Sequence, residues 1–196
     1  MMRTVLIFWL LIIFGHYSCV QLKIPEKKYF TLAASKWTNN DIVKTNGYYY
    51  RKHQKTGEYW IIILYDDGFC SLIMKPGFNE LKQVEAYIYS KKDEFQKKKD
   101  DVSWGKYCIQ SNKVITIENF NFNPDNGNLA VYRKVGQVLN DTTFRMDSFW
   151  VNNEQYRDDK AIYHFKQYNP MPSSRNWIEN TGWYKKINGV DNHPIK

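Results

Sequence analysis

The chain has 196 residues, enough for one domain with a sizeable hydrophobic core, and it shows no second domain. Aromatic residues make up 17% of the chain, and because they favour strands this composition predicts an all-β core. The formal net charge of +8 suits a polyanion or an anionic lipid surface, while three cysteines without a Cys-x-x-Cys pair argue against a zinc ribbon or thioredoxin-like chemistry.

The first 18 residues are predicted to be an export signal. Arg3 supplies a positive start, and residues 5–14 form an unbroken apolar run of ten residues. That run is too short to cross a bilayer as a helix, but it has the length of the apolar part of a signal peptide. Because an exported protein does not meet nucleic acid, we expect no nucleic-acid partner.

Ser18 and Cys19 follow the apolar run directly. This arrangement resembles the lipobox of bacterial lipoproteins, although His16 and Tyr17 depart from the aliphatic and small residues of that motif. The resemblance implies that Cys19 carries the lipid anchor, palmitate included, and tethers the protein to the cell envelope. In such lipoproteins an Asp directly after the lipid-bearing Cys alters sorting between membranes. Here Val20 follows Cys19, which by analogy favours the outer membrane. The alternative is an ordinary secretory peptide cleaved near Ser18, which would give a secreted or periplasmic protein.

Four segments are predicted along the chain: the signal peptide 1–18, a lipid-anchored tether 19–44, a β-domain 45–178 and a C-terminal tail 179–196. Pro25 blocks an early helix in the tether, which shows no sustained period. Near its end, Trp37 or Ile42 is expected to close one end of the β-domain.

Turn signals and alternation predict eight strands in the β-domain. The strands are Tyr48–His53, Glu58–Tyr65, Phe69–Met74, the two arms of Trp104–Phe120, Leu129–Leu139, Thr142–Asn152 and Ala161–Tyr168. The hairpin within Trp104–Phe120 should turn at residues 111–113, where Asn112 tolerates a positive φ. One helix is predicted over residues 79–98, because Leu81, Val84, Ile88 and Phe95 recur at helical spacing. It should pack across an end or a flank of the sheet.

Short turns between successive strands predict a mainly β fold: an antiparallel up-and-down meander closed as a barrel, since closure removes exposed edges. A two-sheet sandwich is the alternative. The pattern of turns and strands between residues 45 and 178 resembles small lipocalin-like bacterial lipoproteins. That resemblance is carried by residues 48–50, 65–68, 104–107, 112–117, 140–144 and 173–178. It implies a barrel with a binding cavity and brings no catalytic residues.

The sequence predicts no cofactor and no metal site. His53 and His164 lie on strands that closure makes neighbours, but they lack metal-ligand spacing. Paired aspartates occur only at predicted turns or helix ends, and no nucleophile elbow, P-loop or dinucleotide-binding motif is present. We therefore expect the protein not to be an enzyme. Cys70 and Cys108 lie on strands that the meander brings together, so they form either a disulfide or two buried thiols on opposite faces.

The sequence leaves two functions open. In the first, the barrel binds a small hydrophobic or amphipathic ligand, and the strands supply aromatic and aliphatic lining: Tyr48, Tyr50, Trp60, Ile62, Tyr107, Phe149 and Phe165. In the second, the protein is a non-enzymatic envelope module that contacts proteins or glycans through its outer surface. Eight strands are near the size at which side chains alone fill a barrel, so a cavity and a solid core are close alternatives.

Overall fold

The computed structural model describes residues 31–32, 42–73, 77–91, 102–123 and 128–171. The predicted signal peptide, Cys19, most of the tether and the tail 179–196 lie outside the described residues. The elements are β1 (Gly47–Lys52), β2 (Tyr59–Leu64), β3 (Phe69–Ile73), α1 (Leu81–Lys91), β4 (Val102–Ile109), β5 (Val114–Asn123), β6 (Asn128–Asn140), β7 (Thr143–Val151) and β8 (Glu154–Gln167). None of the helices in the described ranges is long and apolar enough to cross a membrane.

The eight strands form one closed barrel in chain order, which confirms the predicted meander over the sandwich. Each strand pairs antiparallel with the next, and β8 closes the barrel on β1, where Tyr49 lies opposite Phe165. The hairpin between β4 and β5 turns where predicted, but Lys113 rather than Asn112 takes the positive φ of 63°. Asn112 instead accepts a hydrogen bond from the Val114 amide through its side chain, at 3.2 Å.

The last strand is longer than the sequence predicts. It begins at Glu154 rather than at Ala161, because the chain reverses tightly at Asn152 and Asn153. Both asparagines have positive φ, 47° and 71°, which is the backbone shape that suits the twist of a two-residue hairpin. As a result β7 and β8 stay paired to the edge of the barrel.

Both faces are buried in the first half of β1, the last four residues of β2 and the whole of β3. Alternate residues point into the barrel, where Tyr49, Ile62 and Leu64 belong to the inner core. Their neighbours Tyr48, Ile61 and Ile63 belong to a second cluster that α1 covers from outside. Because both faces of these strands are covered, β2 is an almost continuous apolar run rather than an alternating one.

The helix α1 lies on the outer flank of the barrel and confirms the predicted helix, whose residues 92–98 are outside the described ranges. Its side chains Val84 and Ile88 are fully buried in the outer cluster. At its start the side chain of Gln83 accepts hydrogen bonds from the amides of Asn79 and Glu80, at 2.9 and 3.1 Å. This contact satisfies amide groups that a helix start leaves without helical partners.

One end of the barrel is closed by the chain that precedes β1. Val43 is buried in the inner core, and Ile42 packs against that core. Ile42 is one of the two residues that the sequence predicts to close this end, and the other, Trp37, lies outside the described residues. The amide of Lys44 donates to the carbonyl of Asp141 at 3.0 Å and to the hydroxyl of Tyr49 at 3.1 Å. These bonds hold the segment across the end at which β1 begins and β8 finishes.

Candidate functional site

Side chains fill the half of the barrel interior that adjoins this closed end. The Tyr49 ring packs on Phe144 with ring centres 4.7 Å apart, and Phe144 stacks on Tyr163 at 5.2 Å. The hydroxyl of Tyr107 donates to the carbonyl of Tyr65 at 2.7 Å, so this buried phenol is satisfied. Ile115 and the other core residues here are almost inaccessible to solvent. This half is therefore a solid core.

The opposite half, where β1 ends and β2 begins, is lined differently. Its inward side chains combine aromatic rings with cations, and most of them keep some contact with solvent. We call this part of the interior the cup, and its residues are Arg51, Trp60, Tyr132, Lys134, Phe149 and Arg157. Lys134 is the most deeply placed of them, with 5% of its surface exposed.

Strand alternation places most of these residues. Arg51 follows the inward Tyr49 by two positions, and Trp60 precedes the inward Ile62 by two. Lys134 lies opposite the inward Ile117 on β5. It also lies opposite Phe149 on β7.

Phe149 reaches the cup only because β7 carries a bulge. Met146 lies opposite Gly136, but the next β7 residue in register is Ser148, opposite Val135, so Asp147 is an extra residue. The bulge shifts the alternation of β7 by one position. Phe144 and Met146 point inward before it, and Phe149 points inward after it.

The cations of the cup lie against its rings. The Arg51 guanidinium carbon is 4.2 Å from the centre of the Trp60 ring. Lys134 Nζ is 5.9 Å from the Trp60 ring and 6.0 Å from the Phe149 ring. The Arg157 guanidinium carbon is 5.3 Å from the Phe149 ring. One cation thus bridges the two rings, and each ring holds a further guanidinium.

Polar groups other than cations also reach the inner face. Asn119 is buried there and donates to the Ser103 hydroxyl at 2.6 Å, while its carbonyl oxygen has no hydrogen-bond partner among the described residues. His53 stacks on Trp60 at the rim, with ring centres 5.0 Å apart. His164 lies on the outer face beside Tyr50, so the two histidines do not share a site. Within the described ranges, no group of three His, Cys, Asp or Glu side chains has the geometry to hold a metal ion.

The predicted lining residues divide into three groups. Trp60 and Phe149 line the cup. Ile62, Tyr107 and Phe165 face inward but belong to or pack against the solid core. The prediction of an inward position is wrong for two residues, Tyr48 and Tyr50. They point outward because the middle tyrosine of the three, Tyr49, is the inward one.

Sequence reasoning missed the three cations of the cup. Only their positions could have indicated that they face inward. Arg51 follows the inward Tyr49 by two residues, and Lys134 lies opposite Phe149. The sequence does not show which residues of β1 face inward or that β7 contains a bulge. Without that information, these cations are indistinguishable from ordinary solvent-exposed charges.

Cys70 and Cys108 are free, buried thiols rather than a disulfide. Cys70 lies opposite Gly105, three positions from Cys108 on β4, so the two sulfurs are on opposite faces of the sheet. Cys70 is in the inner core, and Cys108 lies opposite Thr116 on the outer face. Burial raises the pKa of both thiols, and for Cys70 the nearby Lys134 acts in the opposite direction.

No protein-family model matches this chain, and no curated protein or solved structure matches it. The arguments that follow therefore rest on the sequence and on the geometry of the barrel.

Proposed function

We propose that this protein is a lipid-anchored, non-enzymatic protein of the cell envelope whose barrel binds a small amphipathic molecule in the cup. The proposal takes up the resemblance to small lipocalin-like lipoproteins, and the closed eight-stranded barrel is consistent with it.

The observation that carries the proposal is the unequal filling of the interior. Residues such as Tyr49, Ile115 and Phe144 are sealed in one half, while Trp60 and Phe149 remain partly exposed in the other. Partly exposed rings on a concave surface, with a few polar groups among them, are the usual composition of a small-molecule site. A barrel meant only as a structural support gains nothing from leaving these rings accessible to solvent.

Uptake of a neutral apolar probe tests ligand binding. N-phenyl-1-naphthylamine should bind saturably to the wild-type protein, and native mass spectrometry of protein from its own envelope should show a bound small molecule. Val151 points inward near Phe149, because it lies opposite Tyr132 of the cup. The variant Val151→Trp should fill the cup and abolish probe binding.

Val135→Trp is the matched control, because Val135 lies outside the barrel opposite Ser148. It should bind the probe like the wild type. Loss of binding in both variants, or no saturable binding in the wild type, would count against the ligand proposal and favour the module that acts through its outer surface.

The anchor has a separate test. The Ser18-Cys19 sequence motivates it, and two or three acyl chains hold a protein durably at a membrane, at about 0.8 kcal/mol per buried CH₂. Metabolic labelling with palmitate should mark the wild-type protein and leave Cys19→Ala unlabelled. Labelling that persists in the variant would exclude Cys19 as the lipid site.

A further inference from the structure

We infer that the ligand of the cup carries a hydrogen-bond donor, a hydroxyl or an amide N–H, which is accepted by the side-chain carbonyl oxygen of Asn119. This inference rests on the proposed function and specifies its ligand class.

Asn119 stands where the inner wall passes from the solid core into the cup. On β5 the inward residues Ile115 and Ile117 belong to the inner core, and Asn119 is the next inward position towards the open half. Across the pair of β5 and β6 it lies directly opposite Tyr132 of the cup. Opposite residues on one face of an antiparallel pair are neighbours. A ligand that lies on the Tyr132 ring is therefore close to Asn119.

One end of the Asn119 amide is held, and the other end is available to a ligand. The amide nitrogen donates to the Ser103 hydroxyl at 2.6 Å, which fixes the direction of the amide group. The carbonyl oxygen is buried and has no hydrogen-bond partner among the described residues. A buried acceptor without a donor costs free energy, and native proteins contain few such atoms. A ligand that supplies an O–H or an N–H would remove this cost.

The type of residue at this position also favours a ligand contact over simple packing. Isoleucine fills the two preceding inward positions of β5, and Asn119 is only 2% exposed, so an apolar side chain would suit the same place. Asparagine is depleted in strands, whereas a few placed polar groups among apolar ones orient the ligand in a small-molecule site. The amide of Asn119 has the chemistry for that orienting role.

A donor reaches this oxygen only if a neighbouring side chain moves, because Asn119 is covered. Tyr132, directly opposite on β6, is partly exposed, so its ring can move towards solvent. Rotamer changes of side chains that contact solvent are fast, on a timescale of picoseconds to nanoseconds. The burial of Asn119 is therefore compatible with contact to a ligand that enters beside Tyr132.

Three probes built on one naphthalene ring test the inference: 2-naphthol, 2-methoxynaphthalene and 2-methylnaphthalene. The first has an O–H donor, the second has only an acceptor oxygen, and the third has neither. Each probe displaces bound N-phenyl-1-naphthylamine from the wild-type protein and from Asn119→Leu, which replaces the amide with an apolar group of similar size. The variant should bind 2-naphthol about fivefold more weakly and the other two within about twofold of wild type. Because each probe is compared with itself, differences in hydrophobicity between the probes cancel.

Asn140→Leu is the matched control, since it makes the same substitution in the exposed turn after β6, at the closed end of the barrel. It should leave all three affinities unchanged. Circular dichroism confirms that each variant is folded. Asn119→Ala also removes the acceptor and gives a second, independent variant if the leucine variant does not fold.

The outcomes separate this inference from the function beneath it. An equal loss for all three probes would show that Asn119 only supports the wall, and no loss for any of them would likewise overturn the donor. Loss for both oxygen-bearing probes would assign the contact to the amide N–H and overturn the acceptor role. Failure of the naphthylamine and of all three probes to bind the wild type would overturn the proposed function itself.

Discussion

The backbone amide of Leu32 donates a hydrogen bond to the carboxylate of Glu118, 86 residues further along the chain, at 2.8 Å. The amide and hydroxyl of Thr31 bind the same carboxylate, and Arg133 Nε donates to it at 2.7 Å. Glu118 lies on the outer face of β5, and its side chain is 3% exposed. A single buried carboxylate thus fixes the preceding chain to the barrel wall.

This contact matters for the proposed anchor. If Cys19 carries lipid, Thr31 follows the lipid-bearing residue by 12 positions and is held to the barrel wall by Glu118. Twelve residues span at most about 40 Å, which is therefore the upper limit on the distance between the lipid-bearing residue and Thr31.

Removing the carboxylate should destabilise the fold strongly. Glu118→Ala leaves the guanidinium of Arg133 and the Leu32 amide without their shared acceptor, and breaking a buried ion pair in this way costs about 3–5 kcal/mol. Urea unfolding measures the loss. Asp147→Ala is the control, because its ion pair with Arg145 is exposed and should contribute less than about 1 kcal/mol. Equal effects of the two variants would contradict the role given to Glu118.

The contact of α1 with the barrel should depend on pH. Lys166 binds the Glu85 carboxylate at 2.6 Å and the Tyr48 hydroxyl donates to it at 3.0 Å. The pKa of Glu85 is lowered, chiefly by Lys166, against the opposing effect of burial. Because the folded-state pKa lies below the unfolded one, this contribution is fully present above about pH 5 and is lost as the pH falls through the folded value.

Thermal unfolding of Glu85→Gln against wild type checks this expectation. The variant should unfold at a lower temperature at pH 7, and the difference should shrink towards pH 3. A difference that stays constant over this range would show that the charge of Glu85 is not what stabilises the helix contact. Glu80→Gln, at an exposed position just before α1, provides a control that should show little change at either pH.

The order of strands was accessible from the sequence, but the direction of several side chains was not. Turn signals such as Asp67-Gly68 and Asn140-Asp141 separate the strands and predict their neighbours. In β1, however, three consecutive tyrosines carry no alternation, because α1 buries the outer face as thoroughly as the core buries the inner one. No local pattern distinguishes inside from outside where both faces are apolar.

The cup was hidden for a second physical reason. The direction of Phe149 depends on an extra residue in β7, and that residue is defined by pairing with β6, a relationship between strands rather than within one. The same holds for Lys134, whose partners Ile117 and Phe149 lie on two other strands. Contacts of this kind become visible only when the register is known.

The two buried cysteines should be unreactive in the folded protein. Cys70 is inaccessible in the inner core and burial raises the pKa of its thiol, so little thiolate exists to react at neutral pH. We expect no labelling by a water-soluble maleimide in buffer and labelling of two thiols in urea when Cys19 is lipidated. Intact mass should not change on reduction. A gain of about two mass units on reduction, one hydrogen for each sulfur of a broken bond, would contradict the free thiols.

The bulge that turns Phe149 into the cup should depend on Gly136. A Cβ atom at this position would meet the backbone oxygen of Arg145 and lie 2.8 Å from the Met146 Cα, and neither backbone atom can move aside without shifting β7. Gly136→Ala should therefore destabilise the barrel by about 3 kcal/mol in urea unfolding, the upper range for overpacking. It should also weaken binding of the naphthylamine probe at temperatures where the variant is still folded, because the altered register turns Phe149 away from the cup.

Gly57→Ala is the control. The nearest side-chain atom to its added Cβ is 3.8 Å away, so only the positive φ of Gly57 opposes the substitution, at about 1–2 kcal/mol. Its binding of the probe should not change. If Gly136→Ala binds the probe with wild-type affinity, the direction of Phe149 does not depend on this glycine.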